Sequence, residues 1–557
     1  MLVMPRRPGL APTFDRTYDM DQRDRFASRV GTGLVFLALL AFVRPSHAEE
    51  GCVSDRSRQL SEYARATWHS FEQLVLPATG LPADSIAGDL GAESRSRYTS
   101  PTNVAMYLWA VLAARDLELI SRSEAKHRLE QTLDSLEALE RHVPSGQFYN
   151  WYDPGTLEKI TIWPEASSDA VYPFLSSVDN GWLASALIMV SNGVPALRER
   201  AWALAASMDF GAYYDPDAKG GGPGLLRGGF WRAGEEPPGS EAFPRADYSG
   251  MGEVVVYTGH HYGSFNTETR IASYVGIALG QLPPEHYFAG WRTFPATCDW
   301  SWPEAKPVGD WRTYLGVDVF EGAYVYRGRR VVPTWGGSMF EALMPALVVP
   351  EQRWGERSWA VTHPLYVEAQ IEFGLEEAGY GYWGFSPASD PDGGYREYGV
   401  DALGMEPNGY TADAGRLGVV DAGWDDAACP RPAAPPPASY GEAVVTPHAA
   451  FLALPFAADA ALDNLAALRR DFPTIYGPGG FRDAVNVSTG RVAEGHLALD
   501  QGMILAAITN ALLEGRMQEY LAPTLAPALE PLMQLEEFAA GRETIVSPPL
   551  APGAPGS

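Results

Sequence analysis

His260-His-Tyr-Gly-Ser-Phe-Asn-Thr-Glu-Thr-Arg-Ile-Ala-Ser-Tyr-Val-Gly-Ile-Ala-Leu-Gly-Gln-Leu-Pro-Pro284 sets one carboxyl group, that of Glu268, at the mouth of a buried helix. Ile271, Tyr274, Val275, Ala278, Leu279 and Leu282 recur at the spacing of a single helical face. The spacing predicts a helix starting near Thr267, capped by Asn266 and stopped by Gly280 with Pro283 and Pro284. Glu268 then stands in the first turn on the apolar side. Burial there raises a carboxyl pKa, while the helix end and Arg270 lower it, so the sign is open. Two readings remain: Glu268 caps its helix, or it is kept for chemistry. The approach through His260, His261 and Tyr262 favours the second.

The pattern repeats on both sides. Helices are expected over Ser54 to Leu76, from Pro101 after the cap Ser100, over Ser123 to Arg141, from Ser176 through Met189 and over Ala196 to Phe210. More follow at Gly337 to Met344, Ala360 to Ala378, His448 to Phe456, Ala458 to Asp471 and Leu499 to Glu514, with one or two over Leu521 to Ala540. Only Val317 to Val332 alternates like a hairpin, turning at Arg327-Gly328. The expected fold class is all-α: an (α/α)6 toroid or barrel of about twelve helices, with a small β-hairpin insertion near 284–335. An α-solenoid is disfavoured because no fixed repeat period is found, and an irregular bundle is the other alternative. In a toroid the inner helices share one mouth, so loops distant in sequence meet there.

The chain has 557 residues, 46% of them hydrophobic, and Lys plus Arg number 42 against 69 Asp plus Glu, a net charge of −27. So acidic a surface repels phosphate backbones and anionic lipids, which excludes nucleic acid as an expected partner. Arg23, Arg25 and Arg29 precede the apolar run Leu34 to Val43, and Ser46-His47-Ala48 offers a cleavage point, so residues 1–48 read as a secretory signal peptide. The expected location is periplasmic or secreted, with no stable membrane insertion after cleavage. Residues 49–540 read as one domain, the proline-rich Pro430 to Ala438 as a linker or extended loop within it, and 541–557 as a disordered tail. Cys52, Cys298 and Cys429 allow one disulfide and leave its pairing open.

Aromatic residues make up 11% of the chain, and many lie in Gly/Pro/Asn-rich loops, among them Trp151, Trp182, Tyr262, Trp300, Trp302, Trp335, Tyr382, Trp383 and Tyr395. Flat rings with a polar handle suit sugar faces, although any single ring can equally be satellite core. Glycoside cleavage needs one protonated and one ionised carboxyl group. Asp179 and Glu268 each stand at the start of an apolar helix; Glu341 and Asp500 have similar settings, while Asp390, Asp392, Glu397 and Asp401 read as loop acids. There is no Gly-x-Ser-x-Gly, no phosphate loop and no His-Glu-x-x-His, and the ten histidines are scattered. No metal or other cofactor is expected. Asp390-Pro-Asp392-Gly-Gly reads as a turn.

The blocks Thr99-Ser-Pro-Thr-Asn103, Phe148-Tyr-Asn-Trp-Tyr-Asp153, Ser177-Val-Asp-Asn-Gly-Trp182, Trp335-Gly-Gly-Ser-Met-Phe-Glu341, Tyr382-Trp-Gly-Phe-Ser-Pro387 and Asp500-Gln-Gly502 resemble the bacterial glycoamylase-like family. That family includes endo-β-1,2-glucanases and is related to domains of cyclic β-1,2-glucan synthases. The resemblance spans roughly residues 55 to 540 and implies an (α/α)6 barrel. It implies an exported glycoside hydrolase on a β-glucan, with inversion, Glu268 as general acid and Asp179 as base or water-positioning group. An oligo- or polysaccharide would then meet His261, Tyr262, Arg270, Trp335, Glu341, Tyr382, Trp383, Tyr395, Trp151 and Trp182. Where the glucanases carry a further acid three residues before the second, this chain has Ser176. Alternative readings are a transglycosylase on the same fold and a non-catalytic glycan-binding envelope protein.

Overall fold

The computed structural model describes residues 47–165, 168–219, 222–293, 306–405 and 443–543, and Val53–Ser557 form one compact unit. Thirteen α-helices occur among the described residues. The first seven are α1 (His47–Leu74), α2 (Pro101–Asp116), α3 (Arg122–Ala138), α4 (Ser177–Gly193), α5 (Arg198–Ala206), α6 (Arg270–Ala278) and α7 (Met339–Leu343). Then come α8 (Glu351–Trp354), α9 (Trp359–Glu372), α10 (Pro447–Leu452), α11 (Leu454–Asp471), α12 (Ala498–Leu512) and α13 (Arg516–Leu535).

Six of these helices contact one another in a closed cycle. Helix α2 packs on α4, α4 on α6, α7 on α10, α10 on α12, and α12 on α2. The link from α6 to α7 is made by Arg270, which donates to the backbone oxygens of Glu341 at 3.0 Å and Ala342 at 2.8 Å. A second set lies against the first, with α3 on α2, α5 on α4, α13 on α4 and α6, α9 on α7, and α11 on α10. A helix surrounded by neighbours must be apolar all round, and Val104 to Ala114 of α2 are all buried. Trp109 of α2 and Trp182 of α4 meet edge to face at 5.5 Å in this core.

The hairpin of the insertion is present, with Val317–Tyr326 pairing with Arg329–Val331. Its two-residue turn has positive φ at Arg327 and Gly328, as the strand twist requires. Val308–Tyr314 and Gly541–Arg542 extend it to four strands, so the expected tail contributes a strand before the described residues end at 543. A second four-stranded sheet joins Leu175–Ser176, Gly229–Arg232, Val255–Tyr257 and Arg245–Ala246, and the all-α expectation is corrected accordingly. These strands are two to four residues long, too short for an alternation of period two to register. Residues 1–46 of the leader, Trp300, Trp302, Pro430 to Ala438, Cys298 and Cys429 lie outside the described residues, and the cysteine pairing with them. No described helix is long and apolar enough to cross a membrane.

Candidate active site

A cleft of about 910 Å³ opens where the inner helices begin. Ser100, Thr102 and Asn103 line it from the start of α2, Val178, Asp179 and Trp182 from α4, Phe340 from α7, and Leu499 from α12. Glu268 lines it from the turn before α6. The expected helix start is corrected here: α6 begins at Arg270, and Asn266 does not cap it but donates to the Val332 carbonyl at 2.9 Å. Pairing of Phe265 with Trp291 and a 2.9 Å bond from Arg270 Nη1 to the Thr267 carbonyl pin the same turn. Glu268 thus points into the cleft from a fixed segment rather than capping a helix.

The block Ser177-Val-Asp-Asn-Gly-Trp182 resolves residue by residue. Ser176 caps α4, its Oγ accepting from Asp179 N at 3.3 Å. Asn180 exchanges two hydrogen bonds with the backbone of Phe148, at 2.8 and 2.9 Å, and so holds the aromatic loop against α4. A Cβ on Gly181 would come within 2.8 Å of Ala272 Cα, so only glycine lets α4 and α6 approach this closely. That approach brings Asp179 and Glu268 to one cleft. Trp182 donates its Nε1–H to Glu268 Oε2 at 2.6 Å.

Burial pushes the half-buried Glu268 carboxyl up to about 8; the Trp182 bond works against this, and the charges of Asp179 and Glu341 add to it. Glu268 therefore carries a proton at neutral pH. Burial also raises Asp179, opposed by hydrogen bonds from the hydroxyls of Thr102, at 2.6 Å, and Ser176. Asp84 lines the other end of the cleft, accepts from Asn103 Nδ2 at 2.8 Å, and is pushed up to about 6, chiefly by burial. One wall is a cluster of three rings: Tyr98 lies 4.4 Å from Trp163 and 5.3 Å from Trp151. Tyr395, 54% exposed, overhangs the rim beside the Asp390–Gly394 turn.

Glu268, Asp179, Trp151, Trp182 and Tyr395 therefore share the cleft. Tyr262 and Glu341 stand behind it: the Tyr262 hydroxyl is pushed up by burial and then by the charges of Glu268 and Asp179, and Glu341 accepts from Gly336 N at 2.9 Å. The other expected contacts are corrected. Arg270 is buried in an ion pair with Glu351, at 2.7 and 2.9 Å, under the ring of Trp359. His261 Nε2 bonds Asp215 at 2.8 Å, away from the cleft. Trp383 is core, Tyr382 reaches outward to Asp471 at 2.7 Å, and Trp335 packs against Tyr324 and Met405. An aromatic or basic residue in a polar loop looks the same in sequence whether it faces a ligand or fills the space beneath the loop. Sequence reasoning missed Asp84, Thr102, Asn103, Tyr98 and Trp163. Thr102 and Asn103 were visible only as parts of a helix start.

With this geometry in hand, the comparisons with known proteins place the chain. Residues 308–522 match the family model "Glycoamylase: Putative glucoamylase". The chain carries a glycoamylase-like domain. A second model, for a protein of unknown function (DUF3131), matches residues 62–215. The chain is 25% identical, over 86% of its length, to the cyclic beta-(1,2)-glucan synthase NdvB of Rhizobium meliloti (strain 1021), and spans 18% of that relative's length. Among solved structures, an endo-beta-1,2-glucanase from Chitinophaga pinensis, in complex with sophorotriose and glucose, superposes with a TM-score of 0.57 at 16% identity, covering 86% of this chain and 98% of that one. An endo-beta-1,2-glucanase from Talaromyces funiculosus, in complex with sophorose, gives 0.60 at 12% identity, covering 87% and 90%. At these identities the likeness establishes a shared fold.

Proposed function

We propose that the protein is a glycoside hydrolase that cleaves a β-glucan, β-1,2-linked by preference, with Glu268 as general acid and Asp179 as general base. The observation that carries this reading is the pair itself: two carboxyl groups, one from the start of α4 and one from the turn before α6, open into one cleft, and burial keeps a proton on one of them near neutral pH. In the reaction Glu268 gives that proton to the leaving glycosidic oxygen as the C1–O bond breaks. Asp179 takes a proton from the water whose oxygen bonds to C1 from the opposite face, which inverts the anomeric centre. The rings of Trp151, Trp163 and Tyr98 offer faces on which sugar C–H groups stack. The names of the relatives support the β-1,2 linkage. The closed cycle of six helices with others outside it supports an (α/α)6 toroid. The basic and apolar stretches before Ala48 support export to the periplasm or beyond.

A second reading, a glycan-binding envelope protein without turnover, rests on Ser176, which supplies a cap where the glucanase pattern carries an acid. A transglycosylase would put a sugar hydroxyl in place of the water. Product analysis of the chain from Glu49, incubated with linear β-1,2-glucan and with β-1,3, β-1,4 and α-1,4 glucans, separates the three. Short oligosaccharides from the β-1,2 polymer, absent with Glu268→Gln, are the expected result. Binding without product from any polymer overturns the hydrolase reading, and longer products than substrates point to transfer.

A further inference from the structure

Beyond the Asp84 end of the cleft, three side chains far apart in sequence converge in the interior. His448 comes from α10, Asp500 from α12 and Asp483 from the loop before the strand Val485–Asn486. All are at least 98% buried. His448 Nδ1 stands 3.5 Å from Asp500 Oδ1 and 4.0 Å from Asp483 Oδ1. Ligand-capable atoms of the three all lie within 4.8 Å of one another.

This cluster is badly satisfied as it stands. Among the described residues neither ring nitrogen of His448 has a hydrogen-bond partner, and nor do Asp483 Oδ1 and Asp500 Oδ2. Asp483 Oδ2 accepts from the Ser389 amide at 2.6 Å. Among the described residues no Arg or Lys pairs with either aspartate, and the charge of Asp84 bears on Asp500 as well. Buried polar atoms are seldom left without partners, and unpaired carboxylates in an apolar interior are costly. One cation would meet His448 Nδ1 and both carboxyl groups together. A cation bound at about 2.0 to 2.4 Å needs donors that are roughly 3 to 4.8 Å apart, which is the spacing found.

We infer that His448, Asp483 and Asp500 bind one first-row divalent metal cation, Zn²⁺ or Mn²⁺, at the floor behind the Asp84 end of the cleft. The imidazole selects the class: a mixed nitrogen and carboxylate set suits such ions better than Ca²⁺, which takes oxygen ligands. The ion ties α10, α12 and the 483 loop together beneath the cleft. It also offsets the negative charge that Asp84 presents to it. The inference stands whether or not the protein hydrolyses glucan.

The test uses the untagged full chain, stripped with a chelator, and reads metal binding rather than activity. Titration with Zn²⁺ and with Mn²⁺ by calorimetry should give one equivalent per chain for at least one of them, with a higher unfolding midpoint and at least tenfold weaker binding of Ca²⁺. Asp483→Asn and His448→Gln, each with an unchanged circular dichroism spectrum, should weaken that binding at least tenfold. X-ray absorption of the wild-type Zn²⁺ complex should show a nitrogen and oxygen shell containing one imidazole, a result that holds even where a variant does not fold. Less than a tenth of an equivalent in the wild type, a sulfur shell, or full binding in folded variants overturns the site.

Discussion

The starts of α4 and α12 follow the same plan and end in different chemistry. Each reads acid, amide, glycine: Asp179-Asn180-Gly181 and Asp500-Gln501-Gly502. In each the amide bonds the backbone of a neighbouring loop, Asn180 at Phe148 and Gln501 at the Phe481 carbonyl, 3.0 Å away. In each the glycine admits a neighbouring inner helix, since a Cβ would come 2.8 Å from Ala272 Cα or 2.5 Å from Met106 Cβ. The acids then part company. Asp179 faces the cleft, held by the Thr102 hydroxyl with Glu268 nearby; Asp500 is sealed in with Asp483 and His448. The plan delivers a carboxyl group to the centre of the helix cycle, and its neighbours decide what that group can do.

The largest expected effect lies at the cleft. Glu268→Gln should lower kcat on β-1,2-glucan by about 10³-fold, the usual range for a lost general acid, with the unfolding midpoint unchanged or raised. A loss below tenfold would break the distinction between the cleft that Asp179 shares with Glu268 and the sealed cluster around Asp500. Because the folded-state pKa of Glu268 is raised to about 8, its ionisation costs stability as pH climbs from the ordinary Glu range towards 8. The wild type should therefore lose unfolding free energy over that window, and Glu268→Gln should lose less.

Next in size is the ion pair beneath. Burial works to raise the Glu351 carboxyl, but the Arg270 guanidinium and then His363 hold it down at about 2. Arg270→Met should cost about 3–5 kcal/mol in chemical denaturation, because it strands a buried charge. A depressed carboxyl stabilises above its unfolded pKa and ceases to as pH falls towards 2, so this contribution should fade between the ordinary Glu range and pH 2. Unchanged stability with weaker glucan binding would return Arg270 to the substrate.

Smaller effects sharpen the comparison. Gly181→Ala should cost about 1–3 kcal/mol by forcing α4 from α6, and should lower kcat more than KM changes, since it moves Asp179 and Glu268 apart. Smallest is Trp182→Phe, which removes the 2.6 Å hydrogen bond that the Trp182 indole donates to Glu268. That bond favours the ionised form, so its loss should move the alkaline limb of the activity profile above about 8. An alkaline limb that stays in place would mean that another group sets it.

The sequence by itself determined most helices of this fold and the acids at their mouths. Apolar spacing, Ser100 as a cap, and Gly280 as a stop are local signals, set within a few residues by helix geometry and by the first unpaired amides. Short strands such as Leu175–Ser176 carry no such signal, because their pairing with Gly229–Arg232 is made across dozens of residues. The same limit governed the site. Asp179 and Glu268 were legible because each lies where an apolar helical stripe begins, although α6 itself starts only at Arg270; the proton on Glu268 was not legible, since its sign depends on how much water the fold removes. Nor could spacing reveal His448, Asp483 and Asp500 together, for residues 35 and 17 apart fit no ligand pattern on one helix or loop. Which rings line the cleft and which fill the core, Trp151 or Trp383, was likewise decided by tertiary packing alone, because burial is a property of neighbours that the chain brings together only on folding.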